Sequence, residues 1–142
     1  MTDSLKYARD MLEAGGYSCV LVRDGQSFTA TARGVAPLLA FLDCKIPFDG
    51  YSAADKVVGA GAAYLYVLLG VRELYAAVIS ERAREVAERH GITLYYDVIT
   101  ENIRNRAGDG ICPIEQAVAD ASDPEDALIR IRSRLKQLSE AK

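Results

Sequence analysis

The segment from residue 74 to residue 99 constrains the fold of this chain more than any other part. Residues 74–79, "LYAAVI", form a continuous apolar run, which is typical of a strand covered on both faces. Ser80 then stands at the start of a helical stretch, "ERAREVAERHG", and residues 92–99 supply a second strand. Because a strand, a helix and a strand that follow one another this closely form a right-handed crossover, the two strands are predicted to be parallel.

The residues before this segment begin with a helix and a hairpin. Residues 3–14 carry apolar side chains at helical spacing, and the pattern ends at two glycines. Residues 17–32 contain two β-rich runs separated by Asp24-Gly25, which is a strong hairpin signal. A short helix is predicted to follow, starting near Val35.

Residues 52–69 are predicted to form one long helix. Ser52 followed by Asp55 resembles a capping box, in which two side chains bond the first N–H groups of a helix. The segment is mostly apolar on all sides, so it should be buried against the sheet. Gly59 and Gly61 inside it cost about 1 kcal/mol each relative to alanine, and a close approach to a neighbouring backbone would offset that cost.

Two short helices are predicted to finish the chain. They begin at Cys112-Pro113 and at Asp123-Pro124, where proline follows the capping residue. The order of elements predicts the α/β class, a three-layer α/β/α sandwich whose mixed sheet combines an antiparallel hairpin with parallel strands. Residues 1–142 show no linker or repeat and are predicted to form a single domain.

Composition and charge argue against several classes of protein. The net charge of −3 does not favour nucleic-acid binding, which needs a concentrated basic face, and no apolar run is long enough to span a membrane. Three cysteines and a single histidine, without any C-x-x-C pair, predict neither a disulfide framework nor a metal site. We therefore expect a cytoplasmic protein without a metal or other cofactor.

Two stretches carry a resemblance to a known family. Residues 51–67, "YSAADKVVGAGAAYLYV", and residues 105–118, "NRAGDGICPIEQAV", resemble an uncharacterised family that is assigned to the cytidine-deaminase-like fold. The resemblance covers essentially the whole chain. It implies the fold of the deaminases but no established activity.

The chain departs from the catalytic deaminases in the residues that bind zinc. Those enzymes carry H-x-E on the long helix and P-C-x-x-C at the start of the next one, which together hold zinc and move protons. At the matching places this chain has Ala54-Asp55-Lys56 and Ile79-Ser80-Glu81-Arg82. The resemblance therefore implies a deaminase-like protein that does not perform zinc-dependent deamination.

Candidate site residues follow from the predicted topology. Ligands of α/β proteins collect at the carboxyl ends of parallel strands, where helix N-termini point their N–H groups. The side chains expected around one cleft there comprise the candidate catalytic residues Cys112, Asp55, Lys56 and Glu115, and the candidate ligand-binding residues Lys45, Ser80, Arg104 and Arg106.

Cys112 is the sharpest of these candidates. It occupies a helix-capping position that Asp123 occupies in the next helix, although sulfur is a weak acceptor and gives up roughly 0.5–1 kcal/mol there. A thiol at a helix N-terminus can have a lowered pKa and act as a nucleophile. The alternative is a small buried side chain. Glu115, one turn further on, is either a base or the second member of a capping box.

The remaining candidates also have two interpretations. Asp55 is either a capping carboxylate or a catalytic one, and Lys56 either forms a buried ion pair or lines a pocket as a cation. Arg104 and Arg106 flank an asparagine beside several glycines, so they either clamp an anionic group or belong to a solvated loop. For Lys45 the favoured interpretation is solvent exposure, and for Ser80 it is a plain helix cap.

Three functions remain open from the sequence. The first is the binding of a small molecule, such as a nucleobase or a nucleotide derivative, in a cleft that has lost its metal. The second is a metal-independent enzyme that uses Cys112 as its nucleophile. The third is a structural or regulatory homo-oligomer, formed through the apolar stripe of residues 128–138 or through an edge of the sheet.

Overall fold

The computed structural model describes residues 1–105 and 107–140. Five strands form one sheet in the order β2-β1-β3-β4-β5. The elements are α1 (Asp3–Gly15), β1 (Cys19–Arg23), β2 (Gln26–Ala30), α2 (Ala36–Asp43), β3 (Ser52–Val58), α3 (Ala60–Leu69), β4 (Glu73–Ser80), α4 (Glu81–Arg89), β5 (Thr93–Thr100), α5 (Pro113–Ala117) and α6 (Pro124–Glu140).

The sheet is mixed, as the sequence predicts. Strand β1 pairs antiparallel with β2 and with β3, whereas β3 pairs parallel with β4 and β4 pairs parallel with β5. Asp24 and Gly25 both have positive φ angles, 50° and 81°, which gives the two-residue turn the twist that a hairpin needs. The predicted hairpin and the predicted parallel crossover are therefore both confirmed.

The prediction of a single helix over residues 52–69 is wrong. Residues 52–58 form the central strand β3, and helix α3 begins only at Ala60. A mostly apolar segment has the same pattern in a buried strand and in a buried helix. Strand β3 is an interior strand that pairs with β1 on one side and with β4 on the other. Gly59, with extended backbone angles (φ −94°, ψ 177°), separates the two elements. The predicted capping box of Ser52 and Asp55 does not exist, because both residues belong to the strand.

Helices cover both faces of the sheet. Helix α1 packs against β1, β3 and β4 on one face, where its buried residues form a separate core cluster. Helices α2 to α6 contribute to the larger core cluster on the other face. Helix α3 lies at the centre of that layer, and its aromatic residues Tyr64 and Tyr66 are fully buried. The predicted three-layer α/β/α arrangement is therefore confirmed.

The carboxyl ends of the parallel strands position the candidate site. Strand β3 leads through Gly59 into α3, and β4 leads directly into α4. Ser80 caps α4, since its hydroxyl oxygen accepts a hydrogen bond of 3.1 Å from the N–H of Ala83.

Among the helices that the structure describes, none combines the length and apolar character that crossing a membrane takes.

Candidate functional site

A small cleft lies where these helices begin. Its volume is about 170 Å³, which is below the roughly 300–1,000 Å³ typical of pockets for drug-sized ligands. We call it the Arg82 cleft. Its walls come from the ends of β4 and β5, the first turn of α4, and α5, and they consist of Ser80, Arg82, Glu101, Asn102, Ile111, Glu115, Gln116 and Ala119.

Glu115 joins the wall of this cleft to the start of α3. One carboxylate oxygen accepts the N–H of Ala60 at 2.7 Å, and the other accepts the N–H of Gly61 at 3.0 Å. A helix N-terminus carries partial positive charge, so a carboxylate placed there is stabilised. Glu115 therefore caps α3 from another helix, whereas the sequence suggested a base or a local capping box beside Cys112.

Two glycines make this contact sterically possible. A Cβ at position 59 would lie 2.5 Å from the carboxylate carbon of Glu115, and a Cβ at position 61 would lie 2.7 Å from Cγ2 of Ile114. The sequence predicted a close approach at Gly59 and Gly61. The approaching groups are the side chains of Ile114 and Glu115 on α5 rather than a backbone. Glu115 lies 55 and 54 positions after the two residues whose amides it contacts.

Arg82 is a site residue that was not among those predicted from the sequence. Its Nη2 donates to the carbonyl of Val118 at 3.2 Å, which ties α4 to the end of α5. Its Nε is buried and has no hydrogen-bond partner among the residues that the structure describes. The available signal was its place in the first turn of a helix that follows a central strand directly, where ligands of α/β proteins collect.

Asp55 is half-buried and belongs to a separate cluster under α3. Its Oδ2 accepts the hydroxyl of Tyr66 at 2.5 Å, and its Oδ1 accepts the N–H of Val57 at 3.1 Å. Burial disfavours the charged carboxylate and raises the pKa of Asp55 to about 7, although the hydrogen bonds from Tyr66 and Val57 act in the opposite direction. Asp55 therefore changes its charge near neutral pH.

Two further ionisable groups face this carboxyl. Cys19 is the register partner of Asp55 on β1, and burial together with the negative charge of Asp55 raises the pKa of its thiol to about 12. Burial and the same charge raise the pKa of the Tyr66 hydroxyl well above its ordinary value. Near neutral pH, Cys19 and Tyr66 are thus a thiol and a neutral phenol, and the titrating member of the cluster is Asp55.

The predicted site residues are only partly brought together. Ser80 and Glu115 line the Arg82 cleft, whereas Asp55 and Lys56 do not. Asp55 and Lys56 are consecutive in a strand, so their side chains point to opposite faces of the sheet, and Lys56 is exposed. Cys112 follows Ile111 of the cleft as the capping residue of α5, makes no side-chain capping hydrogen bond and is half-buried against the core.

The basic candidates lie at the surface. Lys45 is exposed in the loop after α2, with a φ angle of 62°. Arg104 is also exposed and pairs through its backbone with Ile111, which closes the loop between β5 and α5. Arg106 lies outside the described residues.

Across residues 1–105 and 107–140, no three His, Cys, Asp or Glu side chains are grouped so that they could hold a metal ion.

These features define an α/β protein with a mixed five-stranded sheet and a small cleft at the carboxyl ends of its parallel strands. The chain belongs to the DUF1893 family, a domain of unknown function whose family model matches residues 7–135. The predicted membership of an uncharacterised family is confirmed. The chain is similar to a DUF1893 family protein of known structure from Thermotoga maritima, with 26% identity over 96% of this chain and 91% of that chain, and a TM-score of 0.83.

Two deaminases of known structure are also similar to the chain. The dCMP deaminase from the cyanophage S-TIM5 has 14% identity over 68% of this chain and 99% of its own, with a TM-score of 0.49. A diaminohydroxyphosphoribosylaminopyrimidine deaminase/5-amino-6-(5-phosphoribosylamino)uracil reductase from Thermotoga maritima has 12% identity over 81% and 40%, with a TM-score of 0.44. At these values we transfer no residue role from either enzyme. No curated protein matches the chain.

Proposed function

We propose that this protein binds a small polar molecule, of the size of a free nucleobase, in the Arg82 cleft. The observation that carries the proposal is Arg82, which lines the cleft and whose Nε is buried without a partner among the described residues. A buried donor without an acceptor costs about 1–3 kcal/mol, and more when the group is charged. A ligand that offers a carbonyl oxygen or a ring nitrogen would give the guanidinium an acceptor that the described residues do not supply.

The size and lining of the cleft restrict the ligand. At about 170 Å³ it is too small to enclose a drug-sized molecule. Arg82 offers donors only, whereas the amides of Asn102 and Gln116 and the carboxylate of Glu101 add acceptors elsewhere in the lining. Heterocyclic bases present donors and acceptors side by side and so match this mixture. The ring would enter the cleft, and any attached sugar would stay outside.

Glu115 supports binding through position rather than through proton transfer. Both of its carboxylate oxygens are already bonded to N–H groups of α3, which fixes the wall that it forms.

All three cysteines are free thiols, so we place this activity in a reducing compartment, the cytoplasm.

Removal of the Arg82 donor tests the proposal. We expect free bases to raise the Tm of the protein and Arg82→Gln to weaken their Kd about 10- to 100-fold, because a hydrogen bond from a charged group contributes about 1.5–3 kcal/mol. Isothermal titration calorimetry with uracil, cytosine, adenine and guanine, and with their nucleosides and nucleotides, measures the effect. The Tm of the unliganded variant measures the stability that is lost with the bond from Arg82 to Val118, and so separates that loss from any effect on binding.

Arg84→Gln is the matched control. Arg84 lies on the same helix and also has a buried Nε without a partner among the described residues, but its guanidinium pairs with Glu88 and it does not line the cleft. This variant should bind like the unmodified protein. If none of the panel binds at millimolar concentration, or if the two arginine variants lose affinity equally, the proposal is wrong.

A further inference from the structure

Strand β5 is an edge of the sheet that carries exposed apolar side chains. It is eight residues long and pairs with β4 on one side, and no strand of the described chain pairs with its other side. Tyr96, Val98 and Ile99 are 42%, 53% and 39% exposed. Exposed edge strands present unpaired N–H and C=O groups, to which a further strand can be added.

Strand β5 has few of the usual protections of an edge strand. Natural edges are kept short or carry lysine or proline, whereas "TLYYDVIT" has neither and has one charged residue, Asp97. The opposite edge of the same sheet shows the contrast. Strand β2 is five residues long and reads "QSFTA", with polar residues at three of its positions. The two edges therefore differ in what they can contact.

We infer that β5 pairs antiparallel with β5 of a second copy of this chain, which joins the two sheets across a two-fold axis. The occupant follows from the strand's complementarity to itself. Side chains alternate between faces, so residues that oppose each other across such an axis are separated by an even number of positions. The axis must then pass between one residue of the strand and the same residue of the second copy. Three residues near the middle of the strand are candidates: Tyr95, Tyr96 and Asp97.

Only the axis through Tyr96 satisfies both charge and geometry. An axis through Asp97 would place two carboxylates directly opposite each other, which is destabilising. An axis through Tyr95 would place Ile99 opposite Gly91, which lies before the strand and has a φ angle of 80°.

The axis through Tyr96 gives favourable side-chain pairs along the strand. Tyr96 faces its own counterpart, so the centre of the interface is a pair of aromatic rings. Tyr95 of each copy stands opposite Asp97 of the other, so a phenol meets a carboxylate that also accepts the hydroxyl of Tyr75. Leu94 stands opposite Val98. Isologous contacts of this kind produce closed dimers.

Sedimentation velocity over protein concentration tests the dimer. We expect a monomer–dimer equilibrium with a Kd on the order of micromolar, because paired edge strands alone bury less than a standard interface. Val98→Lys should shift the protein to monomer, since an edge lysine blocks strand addition. Val57→Lys is the matched control. Val57 lies in the same row across the sheet and is 49% exposed, but it belongs to the interior strand β3, so this variant should keep the unmodified Kd.

Disulfide crosslinking tests the position of the axis. In a background where Cys44 and Cys112 are replaced by serine, Tyr96→Cys should form a disulfide-linked dimer under mild oxidation, because paired Cβ atoms lie about 4.5–5.5 Å apart. Val98→Cys should not, since it faces Leu94. A monomer at all concentrations, an equal effect of the two lysine variants, or crosslinking at position 98 instead of 96 would each overturn the inference.

Discussion

Replacement of Glu115 by alanine is expected to lower the free energy of unfolding by about 3 kcal/mol, because each hydrogen bond to a charged group contributes about 1.5–3 kcal/mol and the two act together. The variant leaves the N–H groups of Ala60 and Gly61 without their acceptor at the start of the central helix. Urea denaturation followed by circular dichroism measures the loss. Glu115→Gln should fall between the two proteins, since an amide keeps one acceptor oxygen and loses the charge.

A double-mutant cycle with Gly59→Ala isolates the steric part of this contact. The new Cβ would lie 2.5 Å from the carboxylate carbon of Glu115, so the substitution should be clearly destabilising in the unmodified protein. In the Glu115→Ala background the same substitution should cost less than about 1 kcal/mol, because the backbone angles of residue 59 suit alanine and the obstructing group is gone. Equal costs in the two backgrounds would show that Glu115 does not occupy this space.

Asp55→Asn is expected to make the protein more stable above pH 7 and to leave its stability near pH 4 almost unchanged. The pKa of Asp55 is about 7 in the folded protein and about 3.9 in an unfolded chain, so the folded state binds more protons between these values. Stability of the unmodified protein therefore falls as the pH rises from about 4 to about 7 and then levels off. The difference amounts to at most about 4 kcal/mol, and asparagine does not titrate.

Unfolding free energies measured from pH 4 to pH 8 test this expectation, with Asp97→Asn as the control. Asp97 also accepts a hydrogen bond from a tyrosine hydroxyl, but its side chain is exposed. The control should follow the pH dependence of the unmodified protein. If Asp55→Asn shows the same pH dependence as well, the buried carboxyl is not responsible for it.

Local sequence signals predicted most of the architecture. Asp24-Gly25 marked the hairpin, Ser80 marked the start of α4, and the apolar run before it marked a covered strand. The structures that these signals mark depend on residues that are close together in the sequence, so the sequence alone can predict them. Strand β3 was missed for the opposite reason. Whether Ser52–Val58 bonds within itself or to β1 and β4 depends on partners that lie elsewhere in the sequence.

The candidate site was harder to predict because its contacts are long-range. The sequence suggested that Glu115 is either a base or part of a local capping box, but the groups it bonds are 54 and 55 positions away. Arg82 bonds a carbonyl 36 positions away, and nothing around it in the sequence indicates that its Nε is buried. The two glycines of "GAG" were the one local signal of this arrangement. They predicted a close approach, but by a backbone rather than by side chains of α5.

The two attachments of α3 have a mechanical consequence. Tyr66 holds the helix to the sheet through Asp55, and the amides of Ala60 and Gly61 hold it to α5 through Glu115. A helix attached at two points, to the sheet and to a neighbouring helix, can neither slide nor turn without breaking a hydrogen bond. Because Glu115 also lines the Arg82 cleft, that part of its lining stays in place for as long as the two bonds to α3 hold.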